Sequence, residues 1–343
     1  MSSTRKEAPS SLFSSLADDI VLNVLARVPR RYHPNISCVS KKLRSLVRSS
    51  ELHKTRSLLG MDRFYVCFDE YGYPHRINHW FALAENRRLV PIPFPSPPEP
   101  YSVALTVGPE IYFVGGYCTR PSSSMWILDS RSGKLRRGPS SLVATRSAAA
   151  GLVNDKIYMF GGRCEDEYEE IQAQAFDLKS QTWQLAPNPT RQVQDISMSA
   201  SLRRNIYARN AEEAVVVYDT RDGEIEIPAP AQQLRSRDFC VVDNVLYIYQ
   251  THAGLLWYES KEKEWRVVEG LNLKARIAWS TALAEYNGKL AFLWHERDKS
   301  EVWCSVIVLY GSKVAVRGRV EWSGCLLSDL PYKYKFKHCL CLD

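Results

Sequence analysis

Long apolar runs are missing from this sequence. Nothing in its 343 residues approaches the roughly 18 consecutive apolar positions of a membrane-spanning helix. Residues 1–11 are polar and hold no hydrophobic stretch of a secretion signal. The expectation is a chain that stays inside the cell, in cytosol or nucleus, with no membrane partner. Paired cysteine motifs are missing too. Nine cysteines, at 38, 67, 118, 164, 240, 304, 325, 339 and 341, show no Cys-x-x-Cys spacing and are too sparse for a disulfide framework. They read as reduced, mostly buried thiols. Catalytic signatures are equally scarce, with no His-Glu-x-x-His, Gly-x-Ser-x-Gly, phosphate-binding glycine loop or dinucleotide fingerprint. No cofactor and no metal is implied. Charge excess is absent from most of the chain. The net +7 arises wholly in residues 1–60, which carry 11 basic and four acidic residues, while the other 283 hold 34 of each sign. So balanced a body lacks the electrostatic footprint of nucleic-acid binding, and only the N-terminal segment can steer an acidic partner.

What is present begins with helical periodicity. Between Leu16 and Val28 the apolar positions Leu16, Ile20, Val21, Val24, Leu25 and Val28 repeat as one helical stripe. Asp18 and Asp19 suit its first turn by capping and dipole complementarity, and Pro29 ends it. A second stripe runs through Ile36, Val39, Leu43, Leu46 and Val47. So small a helical segment cannot bury two stripes alone, and its surplus apolar face asks for a partner.

After Met61 the pattern changes to short apolar runs bounded by turn residues. Aligned runs start at Phe64, Ile111, Ile157, Ile206, Leu246 and Leu290, with spacings of 47, 46, 49, 40 and 44. A period of this size built from short strands marks propeller blades. Five runs are preceded by a hairpin signal, at Gly108-Pro109, Asn154-Asp155, Arg203-Arg204, Asp243-Asn244 and Asn287-Gly288. A third strand ends near Asp129, Asp177, Asp219 or Glu259. Around it, a seven-residue offset recurs in Leu128 to Leu135, Phe176 to Trp183, Tyr218 to Ile225 and Tyr258 to Trp265. The first repeat lacks a preceding strand and Phe336–Leu342 is left over after the sixth, so the tail is expected to complete the first blade.

The double glycines Gly115-Gly116 and Gly161-Gly162 at the end of an apolar strand, with the later paired positions, resemble kelch repeats. Leu16-Ala17-Asp18-Asp19-Ile20, taken with the run from Cys38 to Leu46, resembles an F-box, although Ala17 stands where that family usually has proline. The combination is similar to the F-box/kelch proteins of plants. The resemblance implies a mainly β fold: a six-bladed kelch-type β-propeller over 61–343, its strand 336–342 closing the first blade. A small helical F-box at 13–60 and a flexible segment at 1–12 would precede it. It also implies a non-enzymatic substrate receptor of an SCF-type ubiquitin ligase. In that role Leu16, Ile20, Val21, Leu25, Val39, Leu43 and Leu46 face a Skp-type adaptor, which connects to a cullin/RING core, and the propeller holds a protein substrate.

Arg146, Arg191, Arg237 and Arg276 precede successive blades at spacings of 45, 46 and 39, which places them on one rim. Some kelch proteins use arginines there to grip an acidic segment of the target, since guanidinium holds carboxylates bidentately. The alternative is pairing with neighbouring acids such as Asp195 and Asp238. Two other function classes remain open: a propeller enzyme or metal binder, and a kelch scaffold without ligase coupling. His75 and His79 are the one close histidine pair, and the sequence gives them no partnered carboxylate. Cys339 and Cys341 sit in an alternating strand and read as packing residues. The acidic run 165–170 reads as a solvated loop, and the proline-rich run 91–100 as a stiff connection between the first two blades.

Overall fold

The computed structural model describes residues 16–342 except 29–31, 48, 50, 53–54, 57–58, 60–62, 71–76, 98, 117–119, 163–171, 195, 197, 211–213, 229–238, 274–277, 312–314 and 332. The segment expected to be flexible, 1–12, lies outside them. The chain divides into two compact units, Met1–Asp62 and Arg63–Leu342.

In the first unit the periodic segment forms α1 (Asp18–Arg27), followed by α2 (His33–Val39) and α3 (Lys41–Val47). The capping expected of Asp18 and Asp19 is not found. Ala17 is the N-cap residue, so the two carboxylates serve the helix only through its positive end. The opposite end is closed by distant donors. Arg56, itself buried, donates to the carbonyls of Ala26 and Val28, and His33 Nε2 donates to those of Leu25 and Val28 at 3.2 and 3.1 Å. These satisfy carbonyls that a helix terminus leaves without partners. Val21, Leu22, Leu25, Ala26 and Leu52 form the interior of the unit.

The second unit is six four-stranded antiparallel sheets. In chain order, the first sheet takes β1 (Arg63–Glu70), β2 (Ile77–Leu83) and β3 (Leu89–Ile92). The second takes β4 (Val103–Val107), β5 (Glu110–Val114), β6 (Met125–Asp129) and β7 (Lys134–Arg137). The third takes β8 (Ala149–Val153), β9 (Lys156–Phe160), β10 (Gln174–Asp177) and β11 (Thr182–Leu185), and the fourth β12 (Met198–Leu202), β13 (Asn205–Arg209), β14 (Val215–Asp219) and β15 (Ile225–Glu226). The fifth takes β16 (Phe239–Val242), β17 (Val245–Gln250), β18 (Gly254–Glu259) and β19 (Glu264–Val267), and the sixth β20 (Ala278–Tyr286), β21 (Lys289–Glu296), β22 (Glu301–Gly311) and β23 (Val316–Leu327). The last strand, β24 (Tyr334–Leu342), pairs with β1 as the missing strand of the first sheet. The second unit is a six-bladed β-propeller.

Side-chain alternation builds the ring. On β1, Phe64, Val66 and Phe68 pack against the sixth blade, while Tyr65 and Cys67 pack against the second. On β5, Tyr112 and Val114 face the third blade and Ile111 and Phe113 the first. Because both sides are covered, these strands read as continuous apolar runs rather than as alternating ones. Six apolar clusters fill the six seams in turn, and each large side chain so buried contributes about 1.5–3 kcal/mol.

Register explains the sequence rhythm. Leu128↔Leu135, Phe176↔Trp183, Tyr218↔Ile225 and Tyr258↔Trp265 are cross-strand partners of the third and fourth strands, so the seven-residue offset is the reach of that hairpin. Asn154-Asp155 and Asp243-Asn244 hold positive φ at both positions, the backbone of a two-residue hairpin turn. The acid ending the third strand caps the turn beyond it. Asp177 accepts the N–H groups of Ser180 and Lys179 at 3.0 and 2.9 Å, and Glu259 accepts those of Glu262 and Lys261 at 2.7 and 3.2 Å. These bonds, from Ser180 and Glu262 foremost, hold the two carboxyls below their ordinary values of 3.8 and 4.5.

A clasp of polar groups reinforces closure. Glu70, last in β1, accepts hydrogen bonds from Lys333, from His79 Nε2 at 2.8 Å and from the Tyr334 hydroxyl at 3.3 Å. Lys333 first and His79 second hold its carboxyl below the usual range. His79 therefore has a carboxylate partner that its sequence neighbourhood does not show, because β1–β2 pairing folds Glu70 back beside it. His75 lies outside the described residues. The expectation of mostly buried thiols holds for Cys67, Cys240 and Cys304, whereas Cys325, Cys339 and Cys341 are half-buried and Cys38 is exposed. Cys339 and Cys341 pack into the seam between the sixth and first blades.

Two outcomes follow. Deleting residues 332–343 exposes the β1 edge and is expected to give an aggregating or sharply less stable protein; a soluble truncation with an unchanged melting midpoint contradicts the closure described. A carboxylate held low stabilises the fold above its unfolded pKa and loses that contribution as the pH falls through its folded value. The urea midpoint should therefore drop between about pH 6 and about pH 3, and Asp177→Asn, which keeps an acceptor without a charge, should make the drop smaller.

Candidate functional site

Antiparallel blades sort their connections between the two ends of the ring. The turns joining first to second strands and third to fourth strands are short and leave at one end of the ring. The second-to-third loops and the links from one blade to the next begin and end at the other. Among the described residues this end contains 115–116, 120–124, 161–162, 172–173, 138–148 and 186–194, and two of these links carry Arg146 and Arg191. Loops on a rigid scaffold are the natural place for recognition.

The double glycines shape it. Gly115 and Gly116 have φ of +66° and +117°, and Gly161 and Gly162 have +65° and +91°, the region where side chains are strained. Space is as restrictive as angle. A Cβ on Gly115 would lie 2.7 Å from the carbonyl oxygen of Thr145, and one on Gly162 2.6 Å from that of Arg146. Each pair thus lets a blade-to-blade link press directly on the end of a second strand. Gly116 N–H donates to the Thr145 carbonyl and Gly162 N–H to the Val193 carbonyl, both at 2.9 Å. The link before the third blade is held further by buried Gln174, whose Oε1 accepts from the Leu142 and Val143 N–H groups at 2.9 and 3.3 Å and whose Nε2 donates to the Val143 carbonyl at 3.1 Å. The proline-rich connection is fixed as well: Trp126 Nε1 donates to Glu99 at 2.8 Å, and Phe94 lies on Tyr65 with centroids 5.4 Å apart.

Arg146 and Arg191 both fall in these links. Arg146 is half-buried, its backbone clamped beside Gly162, and Arg191 is exposed. Arg237, Arg276, Asp195, Asp238 and the acidic run 165–170 lie outside the described residues. Gln174 escaped the reading of the sequence; its signal was a polar residue between the inward-facing Ala173 and Ala175.

In the helical unit the seven candidate residues separate. Val21 and Leu25 are 0% and 3% exposed and hold the helices together, while Leu16, Leu43 and Leu46 are half-buried around that core. Ile20 is 48% exposed and Val39 73%, and Val24, one turn after Ile20, is 41% exposed. The apolar surface of α1 that remains uncovered is therefore Ile20 with Val24.

Fold and surface define a class: a closed β-propeller presenting long loops at one end, carried by a chain with a small, separate helical module. Comparison with known proteins makes this specific. Residues 74–327 match the family model described as FKB95, Kelch-repeats domain, and residues 13–55 match the F-box domain. Two Arabidopsis thaliana proteins resemble the chain over nearly its whole length. The putative F-box/kelch-repeat protein At4g02310 is 59% identical with all of both chains covered, and F-box/kelch-repeat protein At2g44630 is 44% identical over 98% of this chain and 94% of its own. A third, At2g44700, is 40% identical over 97% and 93%. The chain belongs to the plant F-box/kelch-repeat family.

Gly161→Ala should cost the propeller about 1–3 kcal/mol through backbone strain, plus whatever displacement of Val193 adds. The check is the melting midpoint, with Gly108→Ala as the comparison: its φ is also positive, but a Cβ there meets no atom within 4 Å. Equal losses in the two variants would show that close approach adds nothing to strain.

Proposed function

We propose that this protein is the substrate-recognition subunit of an SCF-type ubiquitin ligase. Its F-box docks on a Skp-type adaptor, and through it on the cullin/RING core, while the long-loop end of the propeller holds a protein for ubiquitination. The observation that carries the reading is the uncovered apolar pair Ile20 and Val24 on a helix whose other apolar positions already fill the module's own interior. Val39 adds a further exposed apolar position on α2. For target capture, Arg146 and Arg191 lie in fixed links, and Arg237 and Arg276 take corresponding positions by repeat spacing. The ligase chemistry resides in other subunits. In keeping with that, burial pushes the thiols of Cys67 and Cys304 up to about 12, which leaves them protonated and unreactive. No helix among the described residues is long and apolar enough to cross a membrane.

The adaptor step is tested by Ile20→Asp with Val24→Asp, both on the helix surface. Adaptor affinity should fall about a hundredfold, corresponding to roughly 3 kcal/mol of lost apolar burial, while the melting midpoint holds. Undiminished co-purification contradicts the docking face and favours a kelch scaffold without ligase coupling. Arg191→Ala should reduce target capture while adaptor binding and melting persist; retained capture removes Arg191 from the target site.

A further inference from the structure

The seam between the first and sixth blades contains a cavity of about 210 Å3 that the receptor reading does not use. It opens toward the short-turn end, where Arg87 sits in the turn after β2 and Asn287 in the turn after β20. Its floor is apolar, formed by Phe64 of β1 and by Ala291 and Leu326 of the sixth blade. Cys304 also lines it; burial keeps this thiol protonated, so it adds no charge. Tyr286 and Trp322 supply aromatic walls.

The polar groups at the rim are unequal. Lys289 is neutralised by Glu321, whose carboxyl is held below its usual range chiefly by that lysine's hydrogen bond. The Arg87 guanidinium instead lies over the Trp322 ring, 4.9 Å from its centroid, and among the described residues no carboxylate is within ion-pair distance of it. A planar cation thus stands at the mouth of an aromatic-walled space with an apolar floor, in direct contact with no carboxylate among the described residues, although Glu321, already paired with Lys289, is near enough to feel its charge. An anion is the complement, and a carboxylate matches the guanidinium fork. Size selects the rest of the ligand. An apolar cavity of about 150 Å3 accommodates benzene, so this one has room for one or two fused rings.

We propose that this cavity is a binding site for a small aromatic carboxylate, its rings between Tyr286 and Trp322 and its carboxylate on Arg87. The occupant touches residues of both blades that meet at the ring's closing seam. It therefore strengthens that seam, since a ligand bound only by the folded state stabilises it by mass action.

The test uses the full chain with 1-naphthoate as the probe and 1-naphthalenemethanol as its uncharged counterpart, followed by calorimetry and by the melting midpoint. Naphthoate should bind saturably below about 5 mM and raise the midpoint with concentration. The alcohol should bind about tenfold more weakly, and naphthoate should lose about the same factor on Arg87→Asn. Asparagine is chosen because Arg87 has φ +58°, a backbone region asparagine tolerates. Val306→Phe, at another lining position, should fill the space and abolish binding. Should Val306→Phe lower the midpoint on its own, the exposed Arg87→Asn variant decides. No saturable binding, or equal binding of naphthoate by wild type and Arg87→Asn, overturns the proposal.

Discussion

The antiparallel pairing of β24 with β1 is the contact on which the rest of the propeller depends. Five of the six seams join blades that are consecutive in the chain and form as the chain proceeds. The sixth joins the last blade to the first, and it is completed by a strand whose first residue, Tyr334, lies 264 residues downstream of Glu70, to which its hydroxyl donates. Until β24 arrives, β1 presents an open edge and the first blade has only three strands. Closure is therefore a non-covalent, long-range event, secured by a run of backbone pairs, the apolar packing of Phe336, Cys339 and Cys341, and the clasp around Glu70. A stack of units that each touch only their neighbours frays at its ends; a ring has none.

Once the ring is closed, antiparallel geometry gives it two unlike ends. One consists of two-residue hairpins and carboxylate-capped turns, whose length is set by strand register. The other gathers the loops and links, and their positions are fixed by features that permit close approach: the double glycines, the Gln174 amide and the tryptophan Nε1 groups. The proposed target surface thus rests on backbone clamps rather than on side chains that must order on binding. The F-box module solves a different problem. It spends its inward positions on holding three short helices and leaves a short apolar strip outside.

Much of this architecture was legible in the sequence because it is local. The blade period, the hairpin turns and the seven-residue offset all reflect pairing between strands that adjoin in the chain. Non-local features were hidden. The Glu70–His79 pair looked like an isolated histidine, since its members stand nine residues apart in sequence and meet only when β1 and β2 pair. The α1 stripe was legible as apolar but not as two faces: Ile20 and Val21 are neighbours that point about 100° apart, and only the position of Leu52 and α3 decides which turns inward. The cavity beneath Trp322 arises where two blades far apart in sequence meet, so no window of residues encodes it.

If closure makes the propeller one cooperative unit, the amides of β1 and β24 should exchange with solvent only through global opening. The direct measurement is native-state hydrogen exchange in increasing denaturant, comparing these two strands with β9 and β13 in the middle of the ring. Merging of all four onto a single opening free energy is the predicted result. Exchange of β24 and β1 at markedly lower free energy than β9 and β13 would show a ring that opens at its seam, contradicting the account.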